Sequence, residues 1–174
     1  MPNSVKCGRI LAHLVDRIVS SITDTMEVYA DLDGWRVNGG TVPSDFVATG
    51  QIPDIVLLDR VKKTIVLLEL TCPFDSSTNS FKAALDRKTM RYCRLALDCE
   101  NLGYTAHNTP LEIGASGVIT ARNHAVLAMV ASMCGIRNLK TFRRTLGKIA
   151  LVASYRIYLA RNSPDWSSGK LVSP

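Results

Sequence analysis

Apolar residues recur at helical spacing near the start of the chain, where Cys7, Leu11, Leu14, Ile18 and Ile22 form one stripe and Asn3 or Ser4 offers an N-cap. A first helix is predicted there. From 28 to 51 the periodicity is lost, and Gly34, Gly39, Gly40, Pro43 and Gly50 predict turns around one or two short strands. The pattern then changes kind. Ile55-Val56-Leu57-Leu58 and Thr64-Ile65-Val66-Leu67-Leu68 are unbroken aliphatic or β-branched runs, as in strands covered on both faces. The polar break from Arg60 to Lys63 predicts a hairpin between them, and Pro73 stops the second strand.

Ser77 or Thr78 then opens a long helix over roughly 79 to 102, with Gly103 at the position that favours a left-handed cap. A strand follows over 104 to 113, confined by Pro110 to a sheet edge or a bulge. Two more helices, about 121 to 134 (ended by Gly135) and 138 to 161, precede a tail over 163–174 whose two prolines and four serines predict flexibility. The order predicts an α/β fold: a small mixed central sheet between helices, with extra C-terminal helices, in a single domain over 1–174. A hydrophobic fraction of 47% in 174 residues is enough to build one core.

Composition narrows the classes. No apolar run is long enough to cross a bilayer, and Met1 to Arg9 lack a signal-peptide pattern, so a nuclear or cytoplasmic location and no membrane partner are expected. Five scattered cysteines without a CxxC pair argue against a zinc site or a disulfide framework and read as reduced thiols filling space. His107 and His124 have no partner at metal-ligand spacing and read as ordinary strand, turn or cap residues. A net charge of +6 suits an anionic partner, nucleic acid among them.

Candidate chemistry begins at the hairpin. A turn centred between Val61 and Lys62 pairs positions whose numbers sum to 123, which sets Asp54 opposite Glu69 with Cβ atoms about 4.5 to 5.5 Å apart. Two like charges so placed repel, and a hard divalent cation held by carboxylate oxygens offsets the repulsion. The alternative is that both acids merely end strands at the solvent edge. On the following helix, Phe81, Leu85, Lys88, Tyr92, Leu95, Cys99 and Leu102 form a seam broken only by Lys88. Its amine either snorkels to water or reaches the carboxylates, where a cation would orient an attacking water and offset charge on a phosphate. Arg87, Arg91 and Arg94 cluster beside it as candidate phosphate contacts. The last helix sets Arg137, Lys140, Arg144 and Lys148 on a different face from its apolar stripe of Leu139, Phe142, Leu146, Ile149, Ala153 and Ile157; such a row can bind phosphates without reading sequence, but a solvated face is its plain reading.

Pro53-Asp54, fourteen intervening residues and then Glu69-Leu70-Thr71 resemble the PD-(D/E)XK nuclease motif. More narrowly, Glu69-Leu70-Thr71-Cys72-Pro73-Phe74, followed by Lys88-Thr89-Met90-Arg91-Tyr92, Gly103-Tyr104 and Gly114-Ala115-Ser116-Gly117, is similar to the restriction-like endonuclease of site-specific non-LTR retrotransposons. The resemblance spans roughly 53 to 119 and extends more faintly through the helices to Trp166. The chain departs from the wider class at Thr71, where that class carries lysine; the narrower family moves the lysine to the next helix, the role that falls to Lys88 here.

The resemblance implies a restriction-endonuclease-like α/β/α core and a metal-dependent DNA endonuclease, the target-DNA cleavage module of a retrotransposon-type protein. It implies Asp54, Glu69 and the Leu70 carbonyl as ligands of Mg²⁺ or Mn²⁺, with Lys88 positioning the attacking water. Arg87, Arg91, Tyr92 and Arg94 become DNA contacts, and Asp16 a candidate extra acid from the first helix. DNA, the rest of a reverse-transcriptase polyprotein and a second copy of the chain are the implied partners. Two alternatives share the site: an inactive nuclease-like binding module, and a structure-specific nuclease for branched DNA.

Overall fold

A computed structural model describes residues 2–73, 86 and 88–160, with side chains from Cys7 onward. Helix α1 (Pro2–Val19) leads into β1 (Met26–Ala30), and the hairpin strands β2 (Ile55–Asp59) and β3 (Thr64–Thr71) follow. Helix α2 (Cys93–Asn101), strand β4 (Thr105–Glu112) and helices α3 (Ala121–Met133) and α4 (Leu139–Ala160) complete the fold. The expected cap side chains at Asn3 and Ser4, the seam residues Phe81 and Leu85, Arg87 and the tail over 163–174 lie outside the described residues.

The sheet order is β1-β2-β3-β4, antiparallel except for the parallel pair β3–β4. It is the small mixed sheet expected, and β4, carrying Pro110, lies at its edge where a missing N–H breaks no inner ladder. All of β2 and the central six residues of β3 are buried, because both faces of the sheet are covered. On one face Ile55, Leu57, Val66 and Leu68 pack with α1, α3 and α4 through residues such as Leu14, Leu127 and Phe142. On the other, Val56, Leu58, Ile65 and Leu67 pack with Tyr92, Leu95 and Cys99. Helices on both faces of a four-stranded mixed sheet, with two at the C-terminal end of the chain, make an α/β/α-like arrangement.

The hairpin register is the one the sequence specifies: Ile55 pairs with Leu68, Leu57 with Val66 and Asp59 with Thr64, all summing to 123. Its loop is four residues, Arg60 to Lys63. The Asp59 carboxylate accepts from the Val61 and Lys62 N–H groups at 3.1 and 2.8 Å, and Lys63 takes a left-handed φ of 49°.

Four details differ from expectation. Helix α1 already begins at Pro2 and ends at Val19, so Ile22 packs on the core from the following turn. β1 begins at Met26, ahead of the glycine-rich stretch. The long helix is interrupted: residues 88–91 are helical, Tyr92 is a turn with φ −107° and ψ 9°, and α2 restarts at Cys93. Leu102, assigned to the seam, is half exposed because the helix has ended and it serves as the C-cap, with Gly103 at φ 80° beyond it.

Candidate functional site

In β2 and β3 alternate side chains share a face, and positions summing to 123 point to the same side. Glu69 therefore falls in line with Ile65 and Leu67, on the α2 face of the sheet. Asp54 stands one residue before β2 in a bend, in line with Val56 and Leu58. Rather than meeting Glu69 as a ladder pair, its carboxylate Oδ2 accepts the Leu70 N–H at 2.7 Å.

The backbone leading to Asp54 is held from three sides. The buried Thr41 hydroxyl donates to the Pro53 carbonyl at 2.8 Å, Gln51 Nε2 to the Arg91 carbonyl at 2.6 Å, and Asp31 N–H to the Asp54 carbonyl at 2.9 Å. The Tyr92 hydroxyl lies 2.9 Å from the Ile52 carbonyl and 3.1 Å from Glu69 Oε2, so its one proton is shared between the two acceptors. The break at Tyr92 thus serves the site, turning a fully buried ring to link the strand of Glu69 with the segment of Asp54.

Lys88 reaches the carboxylates. Its Nζ donates to Glu69 Oε1 at 2.9 Å and to the Leu70 carbonyl at 2.8 Å. Arg91 stands 3.7 Å from the same Glu69 oxygen, 61% exposed, with its guanidinium over the Tyr92 ring at 5.4 Å. Arg94 points away: it is 84% exposed and paired with Asp98 on its own helix. The Asp16 expectation is not met, since that residue is exposed on α1 and the α1 residues turned to the cleft are Cys7, Gly8 and Leu11, one to two turns earlier.

These groups open into a cleft of about 560 Å³ lined by Asp31, Asp54, Leu70, Thr71, Cys72 and Lys88, besides the α1 residues. Burial, then the charge of Glu69, raises the Asp54 carboxyl from 3.8 to about 6, against the Leu70 N–H and Lys88, which favour its ionised form. Burial also holds the Tyr92 phenol well above its ordinary value, reinforced by Glu69. A hydrogen bond with Cys72 holds the Cys7 thiol below its ordinary value, and all five cysteines are reduced.

Two acids here escaped the sequence reading. Asp31, at the end of β1, lines the cleft and adds to the field that raises Asp54, while its carboxylate pairs with Arg36 at 2.7 Å. Glu112, opposite Thr71 in the parallel register, is buried with Oε1 lacking a hydrogen-bond partner, and Lys88 is among the charges that act on it. Thr71 Oγ1, at the position where the wider nuclease class has lysine, is likewise buried without a partner.

Among the described residues no three His, Cys, Asp or Glu side chains gather closely enough to hold a metal. Asp54 and Leu70 at the cleft, with the buried Glu69 carboxylate and Thr71 hydroxyl beside them, make an all-oxygen set that suits a cation keeping several waters or substrate oxygens in its shell. His107 on β4 and His124 on α3 are partly buried within their own elements and line no part of the cleft. No described helix is long and apolar enough to cross a membrane. No family model matches the chain, and no curated protein or solved structure matches it.

Proposed function

We propose that the protein is a divalent-metal-dependent DNA endonuclease, in which Asp54, Glu69 and the Leu70 carbonyl hold Mg²⁺ or Mn²⁺ and Lys88 acts on the scissile phosphate. One observation carries the reading: Lys88, nineteen residues from Glu69 in sequence, places its amine between the Glu69 carboxylate and the Leu70 carbonyl at the cleft that also holds Asp54. A lysine that merely snorkelled would put its amine in water rather than on a buried acid. The bound cation would supply Lewis acidity and an activated water.

The chain's own groups do the rest. Tyr92 fixes one oxygen of Glu69, leaving the other to Lys88. The Leu70 N–H orients Asp54 and favours its ionised form, which metal binding requires. Glu69 and the Leu70 carbonyl would hold the cation, and the Lys88 amine that now sits on them would then be free to offset charge on a non-bridging phosphate oxygen. Arg91, exposed beside it, is placed for the adjoining phosphate.

DNA as substrate is supported by the net positive charge of +6. The finer assignment, to the restriction-like endonuclease of site-specific non-LTR retrotransposons, rests on the motif order and on lysine standing at 88 rather than at 71. A second reading has its own support. Lys88 already satisfies both oxygens a cation would need, and a site closed this way suits a nuclease-like fold that only binds nucleic acid.

Incubation with supercoiled plasmid in Mg²⁺ or Mn²⁺ separates the two. Metal-dependent nicking abolished by Asp54→Ala, Lys88→Ala and EDTA supports the hydrolase. Nicking that survives Asp54→Ala removes the site from the reaction. Silence on plasmid and on branched or flapped DNA leaves the binding module, and activity on branched DNA alone makes the protein a structure-specific nuclease.

A further inference from the structure

The positive charge is not spread evenly. Between Ile113 and Pro164 lie eight of the chain's 21 Lys and Arg and none of its 15 Asp and Glu, so the remaining residues carry 13 basic groups against 15 acidic. The whole positive excess belongs to the α3–α4 end of the chain.

Much of it converges on one groove. Lys140, Arg143, Arg144 and Lys148 of α4 face Ser116, Gly117 and Ile119 across a depression of about 1020 Å³. The groove is narrow at its floor because two glycines let the backbones touch: a Cβ on Gly147 would lie 2.7 Å from the Gly117 carbonyl. A second, smaller groove of about 240 Å³ shares Lys148 and adds Arg156 and Arg9. Arg9 directly follows Gly8, which lines the cleft of Asp54. The cations of the two grooves therefore run along α4 to Arg9 on α1, the helix that also lines the cleft.

Around the sheet, Arg36, Arg60, Lys62, Lys88, Arg91 and Arg94 each face a carboxylate. None of the groove cations has an ion-pair partner among the described residues. Arg143 goes further, with its Nε buried and without any hydrogen-bond acceptor. A guanidinium donor taken out of water without an acceptor is costly, and an anionic oxygen entering the groove would satisfy it. Lys140, Arg144 and Lys148 recur every four residues, about 6 Å apart along the helix. That row sets three exposed cations at regular intervals along one side of the groove.

We propose that this groove binds the sugar-phosphate backbone of duplex DNA beside the cut, without reading its sequence. The inference rests on the DNA-cleaving reading for the choice of polyanion, but not on the metal chemistry. An anionic lipid surface is the competing source of phosphate, and a concave groove with a partly buried arginine suits a strand better than a bilayer plane.

The test is anisotropy of a labelled duplex in EDTA, where no cleavage intervenes, over a range of salt. Replacing Lys140, Arg144 and Lys148 together by Gln is expected to weaken binding at least tenfold. It should also make the slope of log affinity against log salt shallower by about 2.7, near 0.9 per lost phosphate contact. All three side chains are exposed, so an unchanged circular-dichroism melt should accompany the loss.

Unchanged duplex affinity and salt slope would overturn the proposal. So would affinity for phosphatidylserine vesicles that the triple variant loses while its DNA binding stays intact. Groove-dependent binding by a protein that does not nick plasmid in Mg²⁺ keeps the groove and removes the hydrolase. Nicking without groove-dependent binding does the reverse.

Discussion

Lys88 Nζ lies 2.9 Å from Glu69 Oε1 and 2.8 Å from the Leu70 carbonyl, so one amine holds two oxygens that a divalent cation would need. On the proposed reading, amine and metal would compete for the same atoms. Removing the amine should have two opposite effects, and their combination is diagnostic.

Lys88→Ala is expected to lower nicking by at least about a hundredfold, the scale of a lost electrostatic stabiliser. It should also tighten apparent Mg²⁺ binding, since no amine need be displaced. Without metal the variant loses about 1–3 kcal/mol of stability, because the nearly fully buried Glu69 side chain loses its nearer cation and hydrogen-bond donor. Titrating Mg²⁺ against thermal melts measures both quantities, and unchanged Mg²⁺ affinity would count against competition.

Asp54 gives a pH dependence whose sign is fixed. Its carboxyl titrates near 6 in the folded protein and at its ordinary 3.8 when unfolded, so between these values the native state binds the extra proton. Stability contributed by this group is greatest below pH 4, falls as pH rises from about 4 to about 6, and is level above. Comparing melts with Asp54→Asn in EDTA isolates that fall, which should shrink when Mg²⁺ is added. Nicking should follow the ionised form, dropping about tenfold per pH unit below 6.

Tyr92→Phe keeps the buried ring and removes only the hydroxyl. The Ile52 carbonyl and Glu69 Oε2 both lose a donor, at an expected cost of about 1–2 kcal/mol. Because those contacts tie the Asp54 segment to Glu69, activity should fall more than stability alone explains at temperatures where the variant remains folded. Equal activity of folded variant and wild type would reduce Tyr92 to a core residue.

Gly147→Ala should invert the usual rule for a helix interior, where alanine is favoured over glycine by about 0.5–1 kcal/mol. The added methyl would press on the Gly117 carbonyl at 2.7 Å, a backbone atom that cannot swing aside. Destabilisation of about 2 kcal/mol or more is expected. Lys63→Gly is the opposite case: φ at 63 is 49°, the side chain is exposed, and relief of the left-handed penalty should add about 1 kcal/mol. Chemical denaturation of the two variants checks both signs.

What the sequence made legible follows from how each contact is specified. An antiparallel hairpin with a short loop fixes its own register, so the sum of 123 could be written down from the break at Arg60–Lys63, although Asp54 falls just outside the ladder and bonds the Leu70 N–H instead of facing Glu69. Lys88 was visible as the one charged member of an apolar seam. Parallel strands have no such rule: the pairing of Thr71 with Glu112 depends on the path of everything between them, and Glu112 went unnoticed. Asp31 was hidden because β1 runs into a stretch of turns without periodicity. Asp16 was misassigned because the helical stripe gives the buried face of α1 but not which of its turns meets the cleft. Leu102 fitted the heptad spacing, but spacing does not reveal that the helix stops one residue before it.

The parallel pairing of β3 with β4 has a consequence for how the site comes into being. Asp54 and Glu69 belong to a local hairpin, which a growing chain can close soon after Thr71 has emerged. The lysine and tyrosine that neutralise and clamp them arrive on a later segment, and β4 must add at the edge before the second layer of the sheet is complete. Until then the hairpin presents two acids with no amine between them. The charge balance of the finished site is thus a property of tertiary assembly, and a nascent chain stopped at β3 holds the two acids without the amine that balances them.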